Sequence, residues 1–205
     1  KLEHDPRWTE LIEGAEGEQE TPLNPPGDLP ESNGDVEFGH WLKTNIRTQR
    51  QDGYFTATVA LPLGDMTADQ LRSLADIARK FTNGTIRTTV EQNFVIRWVS
   101  GADVSALYQE LAAAGLGEAG AGAILDIVSC PGTDTCKLGI SSSRGLAAEL
   151  RKRLSEKIFE LDEAIQSLHI KISGCFNSCG QHHVADIGFY GVARGVHGYK
   201  VPHFQ

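Results

Sequence analysis

All four cysteines of this 205-residue chain fall in two short stretches, CPGTDTC with Cys130 and Cys136, and GCFNSCG with Cys175 and Cys179. Each pair sits among glycine and small polar residues at the end of an apolar run, so the fold has to bring two loops to a common place. Three uses of the thiols are open. Disulfides staple small secreted domains that lack a core, but this chain is long enough to bury one, is 40% apolar and opens with no export signal. Structural zinc favours pairs spaced C-x2-4-C, which fits the second pair and not the C-x5-C of the first. A cubane iron–sulfur cluster is a larger object that thiolates from two loops can wrap. Spacing ranks the cluster first, zinc second and disulfides third. Gly132 and Gly174 are expected to let backbone approach the cluster, and Gly180 to leave open space beside Cys179.

Around these loops the chain reads as alternating elements. Tyr54–Leu63 (YFTATVALPL) is rich in aromatic and β-branched residues and predicts a strand. Thr67 caps a helix on which Leu71, Leu74, Ala75 and Ala78 recur at helical spacing. GTIRTTV and NFVIRWV follow as strands about a tight polar turn at Glu91 and Gln92, and a second helix runs from about Asp103 to Ala114. This β-α-β-β-α order is that of a split βαβ, ferredoxin-like half-domain, over residues 36–116. A glycine-rich joint, Gly115–Gly122, leads into an α/β unit over residues 117–205. There AILDIVSC is a strand delivering Cys130, and SSSRGLAAELRKRLSEKIFEL a serine-capped helix with Leu146, Leu150, Leu154 and Ile158 stacked four apart. LHIKISGC is a strand delivering Cys175, and HHVADIGFYGV a further strand. The expected class is therefore α+β.

Residues 1–35 differ from the rest. Nine acidic residues stand against two basic ones up to residue 34, and Pro22, Pro25, Pro26 and Pro30 break any helix. A solvated tail or linker is expected, with a short helix around Trp8–Glu13. A formal charge of -8 argues against a nucleic-acid or acidic-membrane partner, and no apolar run is long enough to span a bilayer, so a cytoplasmic protein is expected. The chain opens on lysine rather than methionine, as an excised or processed piece would.

SCPGTDTCKLGI together with KISGCFNSCGQHHVADIGFYG resembles the cluster domain of the siroheme-containing nitrite and sulfite reductases, which carry C-x5-C and then C-x3-C. GTIRTTVEQNFVIRWV resembles strands of that family's ferredoxin-like half-domain, and the resemblance covers about residues 36–205. It implies that Cys130, Cys136, Cys175 and Cys179 bind a 4Fe-4S cluster, and that Cys179 also ligates the iron of siroheme. It further implies contacts to siroheme from Asn177, Arg87, Gln92 and Asn93. The implied reaction is six-electron reduction of nitrite to ammonia or sulfite to sulfide, fed by ferredoxin or a reduced-nicotinamide flavoprotein. Most cations that bind substrate would come from the remaining half of the enzyme, and the 117–205 unit stops short of where the family continues. A non-catalytic iron–sulfur or zinc module, for electron transfer or assembly, is the alternative, as is a relative from cobalamin biosynthesis.

Other residues carry two readings each. Siroheme bears many carboxylates, which call for arginine and lysine. Lys43, Arg47, Arg50 and Arg97 are candidates against a plain surface role. Lys137, Ser141 and Arg144 make either an anion site at a helix start or an ordinary cap. Strand alternation would point His182 and His183 to opposite sides, so both are taken as structural or surface residues. Trp41 and Trp98 are expected in the core.

Overall fold

Asp35 opens the first helix, α1 (Val36–Asn45), its carboxylate accepting the Phe38 N–H at 3.0 Å. The computed structural model describes residues 20–205 together with Pro6. The short helix expected around Trp8–Glu13 lies outside the described residues. After α1 come β1 (Ile46–Thr48), β2 (Tyr54–Val59), α2 (Ala68–Thr82), β3 (Ile86–Thr88), β4 (Phe94–Ser100) and α3 (Val104–Ala113). The strands form an antiparallel sheet in the order β1-β2-β4-β3. In β2, Phe55, Ala57 and Val59 alternate into the core and pack with Ile96 of β4. α2 begins with a capping box between Thr67 and Gln70, and ends at Asn83 in the left-handed region. Its buried residues, Leu74, Ile77, Ala78 and Phe81, cover the sheet together with Leu107 and Leu111 of α3. Trp41 of α1 is fully buried and lies 5.0 Å from the ring of Tyr108.

The strand expected across Tyr54–Leu63 is shorter, because Pro62 has no N–H for the ladder and Pro62–Gly64 turns with Leu63 at φ +59°. GTIRTTV keeps only Ile86–Thr88 in the sheet.

The second unit holds β5 (Val128–Ser129), α4 (Ser143–Ser155), a single turn α5 (Glu163–Gln166), β6 (Ile170–Ser173), β7 (Ile187–Val196) and β8 (Tyr199–Phe204). Its sheet runs β5-β6-β7-β8, with the first three strands parallel and β8 returning as an antiparallel hairpin. AILDIVSC contributes only two residues to the ladder. The long helix expected to reach Leu161 stops at Ser155, and Ile158 lies in a separate 3-10 turn. The strand expected from His182 begins instead at Ile187, so alternation along a strand does not govern the histidine pair.

Residues 20–30 are not a free tether. Gly27 N–H bonds to Gly53 O at 3.2 Å, and Asn24 Nδ2 to Asp103 at 2.7 Å. The Tyr54 hydroxyl donates to Asn24 O at 3.0 Å. Composition favoured solvation, but it does not report which backbone and side-chain groups find partners on the half-domain. Among the described residues no helix is long and apolar enough to cross a membrane.

Candidate metal centre

Parallel pairing brings the C-terminal ends of β5 and β6 side by side, Ser129 opposite Ile172, and each strand there gives way to a cysteine loop. The two loops are stitched together. Cys130 N–H bonds to Ile172 O at 3.1 Å, and the Gly174 N–H donates to Cys130 Sγ at 3.0 Å. Gly174 O accepts from Ile140 and Ser141 at 2.9 and 3.0 Å, and Ser143 Oγ donates to Cys130 O at 2.6 Å. All four cysteines are free thiols: Cys130 and Cys175 are buried, Cys136 and Cys179 exposed. Among the described residues no three His, Cys, Asp or Glu side chains converge on one metal ion.

The glycines bring the two loops together. A Cβ on Gly174 would lie 2.7 Å from Gly132 Cα and 2.9 Å from Ser141 O. One on Gly180 would strike the carbonyl of Ile172, so Gly180 presses inward on β6 rather than clearing space beside Cys179. These residues let backbone pack on backbone, which holds one cysteine loop against the other.

The Cys175–Cys179 turn is anchored from below. Lys171, buried on β6, donates to Gln181 Oε1 at 3.0 Å, and Ser173 Oγ accepts the Gly180 N–H at 3.1 Å. His182 Nδ1 lies 3.0 Å from Ser173 Oγ and 3.2 Å from Ser178 Oγ, while its ring stacks on Tyr190 at 5.0 Å. Burial, and then the neighbouring His183, holds the His182 imidazole below its ordinary pKa. Ser178 and Gln181 take left-handed backbone, φ +61° and +59°, which these hooks sustain. On the outer side Phe176 is 73% exposed, beside exposed Asn177 and Cys179. Sequence reasoning left Ser173 and Tyr190 unmentioned, and the only signal was their closeness to the GCFNSCGQHH stretch.

The side chains of Gln92 and Asn93 are hydrogen-bonded within the chain. The Gln92 amide donates to Ser129 O at 2.9 Å and accepts Ser129 N–H at 3.2 Å. Asn93 Oδ1 accepts Leu61 N–H at 2.8 Å, and Nδ2 donates to Asp126 at 2.7 Å. Both residues therefore join the two units, each bond contributing about 0.5–1.5 kcal/mol. Burial raises the Asp126 pKa, and the N–H groups of Gly122 and Asn93 partly offset this.

Arg87, Arg97 and Arg47 lie on the sheet face away from the helices. Arg87 gives two hydrogen bonds, at 2.8 and 2.7 Å, to one oxygen of Glu20, and Arg97 reaches the other at 3.2 Å. Arg144 is held by Asp65 and Asp134, and Ser142 caps α4 by accepting Gly145 N–H at 3.3 Å. Ser141 donates to His203 O at 2.8 Å. The start of α4 is thus an ordinary cap with its arginine already paired.

A split βαβ half-domain thus leads into a sheet whose first three strands are parallel, with two cysteine loops at the end of that sheet. Two family profiles match: "Nitrite/Sulfite reductase ferredoxin-like half domain" over residues 47–114, and "Nitrite and sulphite reductase 4Fe-4S domain" over residues 120–201. The chain belongs to the nitrite/sulfite reductase family, and its second unit is that family's 4Fe-4S domain. It is 31% identical to the chloroplastic ferredoxin–nitrite reductase of Spinacia oleracea over 71% of this chain and 24% of that protein. It is 27% identical to nitrite reductase [NAD(P)H] of Emericella nidulans over 78% of this chain and 14% of that one. The solved NirA protein of Mycobacterium tuberculosis superimposes with a TM-score of 0.67 at 27% identity, over 79% of this chain and 30% of that one. The chain spans about a quarter of the length of the spinach relative.

Proposed function

We propose that this chain is the cluster-bearing portion of a siroheme-dependent enzyme that reduces nitrite to ammonia or sulfite to sulfide by six electrons. Cys130, Cys136, Cys175 and Cys179 would hold the 4Fe-4S cluster, and Cys179 would also serve as a ligand for siroheme. The observation that carries this reading is the stitched pair of loops, in which Gly174 N–H already donates to Cys130 Sγ. The donor set fits: four thiols suit iron and sulfide, and amide donors to sulfur tune a cluster's potential. Two thiols are sunk in the loops and two stand outward, which suits a body with ligands spread around it better than one ion.

When bound, the paired centres would pass electrons singly to substrate on the siroheme iron. The residues of this chain hold and orient. Exposed Phe176 and Asn177 flank Cys179 and offer one apolar and one polar contact to a flat macrocycle. Arg87 and Arg97, which clasp the Glu20 carboxylate, are suited to the carboxylates of siroheme. The division into residues 1–35, 36–116 and 117–205 belongs to the same reading, as does a cytoplasmic setting. The remaining half of the enzyme supplies the substrate cations, and ferredoxin or a reduced-nicotinamide flavoprotein the electrons; the names of the spinach and Emericella relatives support one donor each.

The test is anaerobic purification of the full-length protein, followed by iron, acid-labile sulfide, absorption, and nitrite and sulfite reduction with a reduced viologen. Red-region macrocycle bands with about four cluster irons and turnover are expected. A colourless zinc protein, or a brown cluster protein without macrocycle bands, would reject the reading.

A further inference from the structure

We propose that Gln92 is a positioning residue for the cluster: its amide stands in for a missing neighbour of β5 and so fixes the point from which Cys130 projects. The proposal rests on the cluster reading above. β5 is two residues long, pairs with β6 through Val128↔Lys171 and Ser129↔Ile172, and is the edge of its sheet. Ser129 is nevertheless only 3% exposed, so water is a poor partner for its backbone groups. Gln92 serves both, donating at 2.9 Å and accepting at 3.2 Å. A primary amide has the same donor and acceptor as a peptide, so this contact is a ladder rung supplied by a side chain.

The backbone of Gln92 points the same way. Its φ is +65°, in a turn where glycine or asparagine is the usual residue. Holding glutamine there is a strain that persists only where surrounding structure demands it. Asn93, 3% exposed, fastens the next position to Leu61 and Asp126. The packed half-domain is thereby carried into residues 126–130. One residue beyond Ser129, the Cys130 N–H bonds to Ile172 and its sulfur accepts from Gly174. A shift of Ser129 therefore moves the first thiol relative to the second loop, although the Gln92 amide bonds to Ser129 and not to the thiol.

The experiment compares hydrogen–deuterium exchange in the full-length protein across residues 127–131 for wild type, Gln92→Leu and Gln92→Glu. Leucine removes both bonds at nearly constant volume, whereas glutamate keeps the acceptor for Ser129 N–H and loses the donor. Exchange at Ser129 should be about tenfold faster in Gln92→Leu and much closer to wild type in Gln92→Glu, with residues 170–174 unchanged in both. Release of cluster iron to a chelator should be fastest in Gln92→Leu and intermediate in Gln92→Glu. Equal acceleration in both segments, or none, overturns the proposal, since a merely structural glutamine would loosen the sheet as a whole. Should Gln92→Leu fail to fold, Gln92→Asn, one methylene too short to reach, takes its place with the same expected order. Exchange needs no metal, so a wild type without iron and sulfide would reject the cluster reading while leaving the Gln92 clamp to stand or fall on its own data.

Discussion

Beneath the antiparallel sheet of the half-domain lies a continuous wall of side chains, from Phe38 and Trp41 through Leu74 and Phe81 to Leu107, Leu111 and Leu116. Beneath the sheet of the cluster unit the buried cluster, among the described residues, is Ile124, Ile127, Ala147, Ile170 and Ile172. Where the first unit packs leucine on phenylalanine, the second packs glycine on backbone: Gly174 against Gly132 and Ser141, Gly180 against Ile172, Gly191 against Gly174. Side-chain packing is strong but thick. A loop that must deliver thiols at a common depth gains from thin, directional contacts, and the unit with fewer apolar contacts leans on its neighbour through Gln92, Asn93 and Asn45, whose Nδ2 donates to Glu118 O at 2.9 Å.

The contrast can be broken most sharply at the thiols. Cys175→Ser should bring iron and acid-labile sulfide to background, because a hydroxyl is a poor ligand for cluster iron, while the half-domain keeps its far-ultraviolet signature. An unchanged iron content would remove Cys175 from the ligand set. The next pair opposes the two kinds of packing. Leu74→Ala, at a fully buried site, should cost about 2–5 kcal/mol in denaturant unfolding yet leave iron bound to the folded fraction. Gly180→Ala should cost about 1–3 kcal/mol or more and release iron from protein that is still folded. Iron loss of the same extent in both variants would erase the distinction.

A smaller effect sharpens the seam. Burial raises the Asp126 pKa, so the folded state holds that proton more tightly than the unfolded chain. Its contribution is full below the ordinary carboxylate pKa of about 4, and is lost as pH rises through the raised value. Asp126→Asn, which keeps an oxygen for Gly122 N–H and Asn93, should flatten that decline in a pH series of unfolding curves. An unaltered slope would show that Asp126 does not set it. Smallest of all, Glu20→Gln, which keeps an acceptor for both arginines, should change stability by about 1 kcal/mol, with the difference fading in salt, since Arg87 is more than half exposed although the Glu20 side chain is largely buried. A larger, salt-insensitive loss would make Glu20 part of the half-domain's core structure.

What could be read from the sequence follows the same division. Thr67 and the apolar spacing announced α2, and the half-domain order was legible because side-chain patterns built it. The cysteines announced the loops and their family. The purpose of Gly174 and Gly180 was not legible, because a glycine shows only that a side chain is missing, never which backbone fills the place. The bond from Gln92 to Ser129 was not legible, since the two lie 37 positions apart. His182 looked like a strand residue until the left-handed Gln181 turned the chain before it. Residues 20–30 looked solvated because the partners of Glu20, Asn24 and Gly27 lie 26 to 79 positions away.

The parallel pairing of β5 with β6 also sets a timetable. A ribosome delivers Cys130 and Cys136 first, and the strand that makes a site of them only after α4 and the connection beyond it. At about 5–20 residues per second, the 39 positions between Cys136 and Cys175 correspond to a wait of about 2–8 seconds. Through that interval the first two thiols belong to a strand without a neighbour, open to stray metal and to oxidants. On the cluster reading proposed above, cluster delivery would have to follow closure of the crossover, and a nascent chain halted before Ile170 would hold two of the four thiols and no place to put a cluster.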